Sequence, residues 1–306
     1  MNSIKRIYVL CLILLLAMCS SVYAAEEAQP LPFVKGESGL DSEEQMGDKI
    51  SVYYSTISLL GCISEYEKLS GGLTSYNSGE SMRVNYGWEG YLEKARTDIT
   101  DRLENGYPMD GKWEQRREVK VRRFDTVAVS FLECDLMHLG GPSLAGDMHS
   151  VFGRTIDAKT GKYLSLLTVF PDRELLASIL EMRLRQNYPY AVFSRSPKMI
   201  DVMYFLDEGE RALMNRNGGS MDAVCHENTA TWTLEPEGAT FYFNPGTIAP
   251  IREGVYVVKI FSDEIPDMFN PKYEHGAYGV ECEYIPEEMD FIPKGGSAGS
   301  LRWEKL

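Results

Sequence analysis

Near the C-terminus, Gly295-Gly296-Ser297-Ala298-Gly299 has the G-x-S-x-G spacing of a nucleophile elbow, a sharp strand-to-helix turn that presents a serine to a base. Its context argues otherwise. No apolar strand leads into Ser297, and the seven residues after Gly299 hold no histidine, so a flexible Gly/Ser tail is the expectation. Metal chemistry meets the same difficulty: His226-Glu227 is followed by Ala230 where an H-E-x-x-H motif needs its second histidine. Cys225 and His226 joined by His275 or Cys282 would make a ligand set of unusual spacing. The reading is therefore no catalytic residue, no metal and no cofactor. An acid pair for glycoside hydrolysis stays open as the alternative, since two such carboxylates need not be close in sequence.

One stretch has the chemistry of recognition. Between Lys272 and Lys294 there is no lysine or arginine, while Glu274, Glu281, Glu283, Glu287, Glu288 and Asp290 alternate with Tyr273, Tyr278, Tyr284 and Phe291. Acids speed encounter with a basic surface, and rings supply buried contact. Glu281, Glu283, Tyr284, Glu287, Glu288 and Asp290 are the candidate binding residues. The competing account is a solvated terminal strand pinned down by its aromatic residues.

Export is written at the N-terminus. Lys5 and Arg6 precede an apolar run over 7–18, and Val22-Tyr23-Ala24 suits a signal peptidase, with cleavage after Ala24 or Ala25. The run is shorter than the roughly 20 residues of a membrane-spanning helix. A lipobox ending at Cys19 is the rival, but Met18 stands where a small residue is wanted. The full chain carries −14; without Lys5 and Arg6, 29 bases face 45 acids, a net of −16. Nucleic acid is excluded as a partner, and an exported protein, periplasmic or at the cell surface, with no span in its mature chain is expected. Cys62, Cys134, Cys225 and Cys282 remain after cleavage, enough for up to two disulfides in any of three pairings. Buried free thiols at Cys62 and Cys134 are the other possibility.

The elements follow from pattern. Residues 25–49, rich in Glu, Pro, Gly and Ser, read as a flexible leader. Residues 51–60 read as a strand, 71–87 as undefined and turn-rich, and 88–103 as an amphipathic helix ended by Asn105-Gly106. Strands are expected at 119–123, 126–137 and 151–156, with a hairpin turn over 157–162 and a return strand over 163–169. Pro171-Asp172 opens a second helix. Residues 198–206 read as helix or strand and 207–228 as a surface excursion. A second hairpin, over 231–234 and 240–243, precedes a bend at Asn244-Pro245-Gly246 and a last strand over 255–261, with Phe241, Phe243, Val255 and Val257 on one sheet face.

Two of these stretches resemble a known family. Residues 126–170, with Gly140-Gly141 and the Ile156-Asp157-Ala158-Lys159-Thr160-Gly161 turn, resemble a bacterial extracytoplasmic domain of formerly unknown function. Residues 241–260 resemble its C-terminal signature: an aromatic strand, an Asn244-Pro245 bend, an Ile248-Ala249-Pro250 crossing, and Gly254 before the final strand. Gly140, Gly141, Asp157, Gly161, Asn244, Pro245 and Gly254 are its structural motif. That family occurs in lysozyme-sensing anti-sigma factor ectodomains and beside some peptidoglycan deacetylase catalytic domains. Where many relatives carry Gly-Gly-Ala-His, this chain has Gly140-Gly141-Pro142-Ser143.

The expected architecture is α+β: antiparallel sheet with one or two packed amphipathic helices. An N-terminal subdomain over 50–124 is followed by the family domain over 125–270 and an acidic, aromatic extension over 271–306. The expected function is a non-catalytic binding or sensing module at the cell envelope, its partner a basic protein such as lysozyme or cell-wall glycan. The alternatives are a polysaccharide hydrolase and a passive lipoprotein.

Overall fold

A computed structural model describes residues 28–43, 49–61, 63–108, 112–139, 148–189, 191, 193, 199–217, 229–250 and 254–277. The expected signal peptide and the lipobox lie outside them.

Strands β1 (Phe33–Glu43), β2 (Lys49–Leu59), β3 (Lys112–Phe124), β4 (Ala128–Leu139) and β5 (Met148–Asp157) form one sheet in that order. All neighbours are antiparallel except β2 and β3. A parallel pair needs a long crossover, and helix α1 (Glu67–Glu104) provides it. β1 corrects the flexible-leader expectation: residues 33–43 pair with β2 from Phe33↔Leu59 to Glu43↔Lys49. Gly36 and Gly39, which made the segment look irregular, lie where the neighbouring strand passes close to the backbone.

α1 runs through the turn-rich stretch at 71–87. Its buried stripe is Leu69, Leu73, Tyr76, Glu80, Val84, Leu92, Ala95 and Ile99, steps of mostly three and four residues. Glycines and the carboxylate at Glu80 interrupt the apolar signal that the spacing keeps. The expected end holds: Gly106 has φ +69°, and Asn105, Gly106 and Tyr107 donate backwards to Asp101, Leu103 and Arg102.

After β5, Ile156 and Tyr163 make an isolated bridge, but no return strand forms. Residues Leu166–Val169 turn into the short helix α2 instead, because Leu166 and Val169 are drawn into the apolar cluster against the second sheet. Helix α3 (Arg173–Asn187) starts as expected, the Asp172 carboxylate accepting from Leu175 N–H at 2.9 Å. Helix α4 (Met199–Asn217) settles 199–206 as helix and corrects the excursion expected over 207–228 as far as Asn217; residues 198 and 218–228 lie outside the described ones. Buried Val202, Met203, Phe205 and Leu206 hold it down, and the charged turn that follows stays helical.

The second sheet is the antiparallel set β6 (Ala230–Glu235), β7 (Gly238–Phe243) and β8 (Tyr256–Phe261). Phe241 pairs with Val258 and Phe243 with Tyr256. These four side chains face α3 and α4, whereas Tyr242, Val255 and Val257 face Leu132, Cys134 and Val151 of the first sheet. The single face expected for Phe241, Phe243, Val255 and Val257 is thus two faces, since residues opposite each other share a side. The layers run α1, five-stranded sheet, three-stranded sheet, α3 with α4. The boundary expected at 124/125 falls in the turn between β3 and β4, which pair along their length. The hydrogen-bonded ladder of β3 and β4 therefore crosses the expected boundary.

Candidate functional site

Strand alternation sends Arg117 of β3, Glu133 and Asp135 of β4 and Arg154 of β5 to the face beneath α1, where Glu80 and Arg83 descend from the helix. Arg117 donates to Glu80 at 2.5 Å through Nη1 and to Asp135 at 2.9 Å through Nη2. Arg83 pairs with Glu80, and Arg154 with Glu133. The Arg154 guanidinium also lies 5.0 Å from the centre of the Tyr76 ring. Burial opposes charge on Arg117, but Asp135 and Glu80 outweigh it and raise its pKa. Burial, with Glu133 and Glu80, pushes the Tyr76 phenol well up.

Beside this cluster is a cavity of about 110 Å³, lined by Val52, Tyr53, Arg83, Val84, Gly87, Trp88, Tyr91, Gln115 and Arg117. The Trp88 and Tyr91 rings are half-buried, 6.1 Å apart and inclined by 21°. Tyr91 OH donates to Ser51 O at 3.3 Å, and Gln115 Nε2 to Asp135 at 3.1 Å. Two donors beside the cavity, Arg83 Nη1 and Arg117 Nε, are buried and have no hydrogen-bond acceptor.

Between the sheets, Glu235 receives Arg122, Lys259 at 2.7 Å and Thr240 Oγ1 at 2.6 Å. Burial raises the Glu235 pKa, yet Arg122 and Lys259 prevail and hold it below the usual carboxylate range. Glu210 of α4 shows the opposite balance. It accepts from Leu166 N–H at a cleft of about 60 Å³ that it lines with Tyr163, Ser165 and Trp232, and burial raises its pKa. Cys134 is a free, buried thiol pushed up to about 12 by burial, so it takes no part in the expected disulfides. Cys62, Cys225 and Cys282 lie outside the described residues.

Of the motif residues, Asp157, Gly161, Asn244, Pro245 and Gly254 lie among the described ones, at turns and their contacts. Asp157 accepts from Thr160 N–H at 2.8 Å, from Lys272 Nζ at 2.5 Å and from Tyr273 OH at 3.0 Å. Burial raises its pKa, but Lys272 and the Thr160 N–H outweigh that and lower it. Gly161 has φ +65°, and a Cβ there would stand 2.1 Å from the Lys68 carbonyl oxygen of α1. Asn244 is buried and pairs with both backbone groups of Val151, accepting from its N–H at 2.8 Å and donating to its C=O at 3.0 Å. It thereby extends β5 sideways into the second sheet. Pro245 and Gly246 complete the turn closed by Thr247 N–H to Asn244 O at 3.0 Å, and Gly254 has φ +83° ahead of β8.

Arg123 and Asp125, both fully buried, clamp the segment after β8: Arg123 donates to Tyr273 O and His275 O, and Asp125 accepts from Ala277 N–H at 3.0 Å. So residues 271–277 belong to the body, not to an extension. Gly140, Gly141, Glu281, Glu283, Tyr284, Glu287, Glu288, Asp290, Ser297, Cys225 and His226 lie outside the described residues. His275 meets Ser262 through Nδ1 and Glu274 through Nε2. Among the described residues no group of three or more His, Cys, Asp or Glu is placed to hold a metal ion, and no helix is long and apolar enough to cross a membrane.

The buried cluster under α1 escaped sequence reading. Its one signal was Glu80 at an apolar position of a helical stripe, facing charged Arg117 and Asp135 on strands that otherwise alternate.

Layers, sheet order and joints define an α+β, antiparallel-rich protein. Residues 176–261, from within α3 to the end of β8, match the model of a family described as "Protein of unknown function (DUF3298)". The match takes in the 241–260 signature and leaves out 126–170. The crystal structure of a DUF3298 family member from Bacteroides fragilis NCTC 9343 superposes with a TM-score of 0.51 at 15% identity, covering 79% of this chain and 94% of that one. A DUF3298 family protein from Pseudomonas aeruginosa PAO1 covers 81% of this chain and 99% of its own at 16% identity, with a TM-score of 0.42. No curated protein matches the chain. At 15% identity the first likeness is one of fold.

Proposed function

We propose that the chain is an exported binding or sensing module of the cell envelope that captures a basic protein, of which a lysozyme-type muramidase is the type, by surface charge. One observation carries this reading: the interior is nearly neutral. Among the described residues the buried charges are Arg117, Arg122, Arg123, Arg154 and Lys259 against Glu80, Asp125, Glu133, Asp135, Asp157 and Glu235, five bases and six acids. The acid excess of the full chain, 45 acids against 31 bases, is therefore left to the surface and to the residues beyond the described ones. The residues beyond the described ones include Glu281, Glu283, Glu287, Glu288 and Asp290, with Tyr284 among them, which follow the clamped Ala277 in sequence. The resemblance to lysozyme-sensing ectodomains supports the same partner.

The purified mature chain titrated with lysozyme tests the proposal. Binding is expected at about 0.01 M ionic strength, where fields reach about 30 Å, and loss of binding at about 1 M, where they reach about 3 Å. No binding at low salt sinks it. Among the described residues the hydrolase alternative has a candidate carboxyl in Glu210, whose raised pKa suits a proton donor. The cleft there has a volume of about 60 Å³.

A further inference from the structure

We infer that the outer edge of β1 is a dimerisation edge, on which β1 of a second copy of this chain pairs antiparallel about Ser38. Elsewhere the fold closes outward strand residues with single side chains. The Asn77 carboxamide of α1 accepts from Ile57 N–H at 3.1 Å and donates to Ile57 C=O at 2.9 Å, beyond the point where β2 and β3 part. Asn244 does the same for Val151 of β5, and the Tyr188 hydroxyl for Val257 of β8, at 2.9 and 3.1 Å. Each cap takes a donor and an acceptor that an added strand would need.

β1 is built differently. Leu60 N–H donates to Pro32 O at 3.0 Å and continues the Phe33↔Leu59 register, so even-numbered residues of β1 bond to β2 and odd-numbered ones turn their backbone outward. Before β1 begins, the outward N–H of Leu31 is held by Phe124 O at 3.0 Å. Further along, no described residue takes the outward backbone groups of Glu37, Gly39 or Asp41, and Gly36, Glu37, Ser38, Gly39 and Asp41 are exposed. The β1–β2 register runs without a bulge and residues 33–43 hold no proline, two of the usual guards of an edge.

Charge names the occupant. Pairing about a two-fold axis sets outward residues against outward residues, so the axis passes through a residue. Centred on Glu37, it would set that acid against its own copy; centred on Gly39, it would set Glu37 against the partner's Asp41. Centred on Ser38, it sets Lys35 against the partner's Asp41 and Asp41 against the partner's Lys35, with Glu37 opposite Gly39. Facing opposite charges stabilise a strand pair and facing like charges destabilise it. Glu37 is already matched by Arg116 at 2.5 Å, and Lys35 uses one of its three donors on Val119 O at 3.1 Å. The inference does not rest on the capture of a basic protein.

Sedimentation equilibrium of the purified mature chain over a concentration series tests it, and a monomer–dimer equilibrium is expected. Asp41→Lys, which sets lysine against lysine at two places, should weaken the dimer about tenfold. Adding Lys35→Asp to that variant should restore it. Glu37→Pro, which removes an outward N–H and no bond to β2, should abolish the dimer without loss of melting temperature. Ser38 faces its own copy at the axis, so Ser38→Cys should give a covalent dimer on oxidation that the parent and Val34→Cys do not. A monomer at every concentration, a dimer indifferent to Asp41→Lys, or a double variant as weak as Asp41→Lys would each overturn the proposal. So would a monomer whose binding to lysozyme is lost in Glu37→Pro, which would give the edge to a basic partner instead.

Discussion

Glu210, Asp157 and Glu235 are three carboxyls whose surroundings give them opposite pH signatures. Lys272 and the Thr160 N–H lower Asp157, and Arg122 and Lys259 lower Glu235, in each case against burial. A lowered folded pKa contributes stability that is present above the unfolded pKa, about 4, and lost as pH falls through the folded value. Glu210 is raised by burial, so its folded form holds the proton more tightly than the unfolded chain does. Its effect on stability declines as pH rises from the unfolded pKa, about 4.3, to the folded one, and the deficit persists above. Glu210→Gln keeps an acceptor for Leu166 N–H and cannot ionise. It should unfold at higher urea concentration than the parent at pH 7 and at nearly the same concentration at about pH 3. A variant weaker than the parent at pH 7 would show that the charge itself is needed. Asn244 is of another kind: from the turn after β7 it accepts from Val151 N–H and donates to Val151 C=O, and each backbone group stranded without it would cost about 1–3 kcal/mol.

α1 is long but poorly suited to stand alone. Its 38 residues include Gly71, Gly72, Gly79, Gly87 and Gly90 and a buried Glu80, so tertiary packing, not helix propensity, holds it. The glycines fall into two groups. At Gly71, Gly79, Gly87 and Gly90 a Cβ meets nothing within 4 Å, whereas at Gly72 it would stand 2.6 Å from the Gly161 carbonyl oxygen. Alanine at any of the first four should stabilise by about 0.4–1 kcal/mol, through lower unfolded-state entropy and higher helix propensity. Alanine at Gly72 should destabilise, because it forces α1 away from the 157–161 turn. Urea denaturation of the five single variants checks both directions. Stabilisation at Gly72 would show that this contact is loose.

At the scale of the molecule, the first sheet ties the N-terminal third to the rest. β3 has β2 on one side and β4 on the other, and β4 carries β5. Arg122 at the end of β3 reaches Glu235 in the second sheet, and Arg123 holds residues 273–275. A fragment ending at residue 124 would expose the β3 edge that β4 covers and take Glu235 from Arg122 and the Tyr273 and His275 carbonyls from Arg123. It should show no cooperative thermal transition by circular dichroism, while the full chain unfolds as one unit. A cooperative melt of the fragment would restore the domain edge expected at 124/125.

Much of the framework was legible because its signals are local. The strand composition of β2, β4, β6 and β7, the Asp172 cap, the Asn105-Gly106 stop and the Asn244 bend each rest on a few adjacent residues obeying steric and hydrogen-bonding rules. What the chain order could not announce was anything whose reason lies across space. Residues 33–43 look like a leader until β2 supplies their partners. Residues 71–87 look broken until a sheet supports a glycine-rich helix. The charges at Glu80, Arg117, Glu133, Asp135 and Arg154 look like scattered surface until strand register and helix phase converge on one buried cluster. Composition alone determined the excess of acid; only the tertiary structure decided that the interior keeps almost none of it, because each buried charge there must find its opposite.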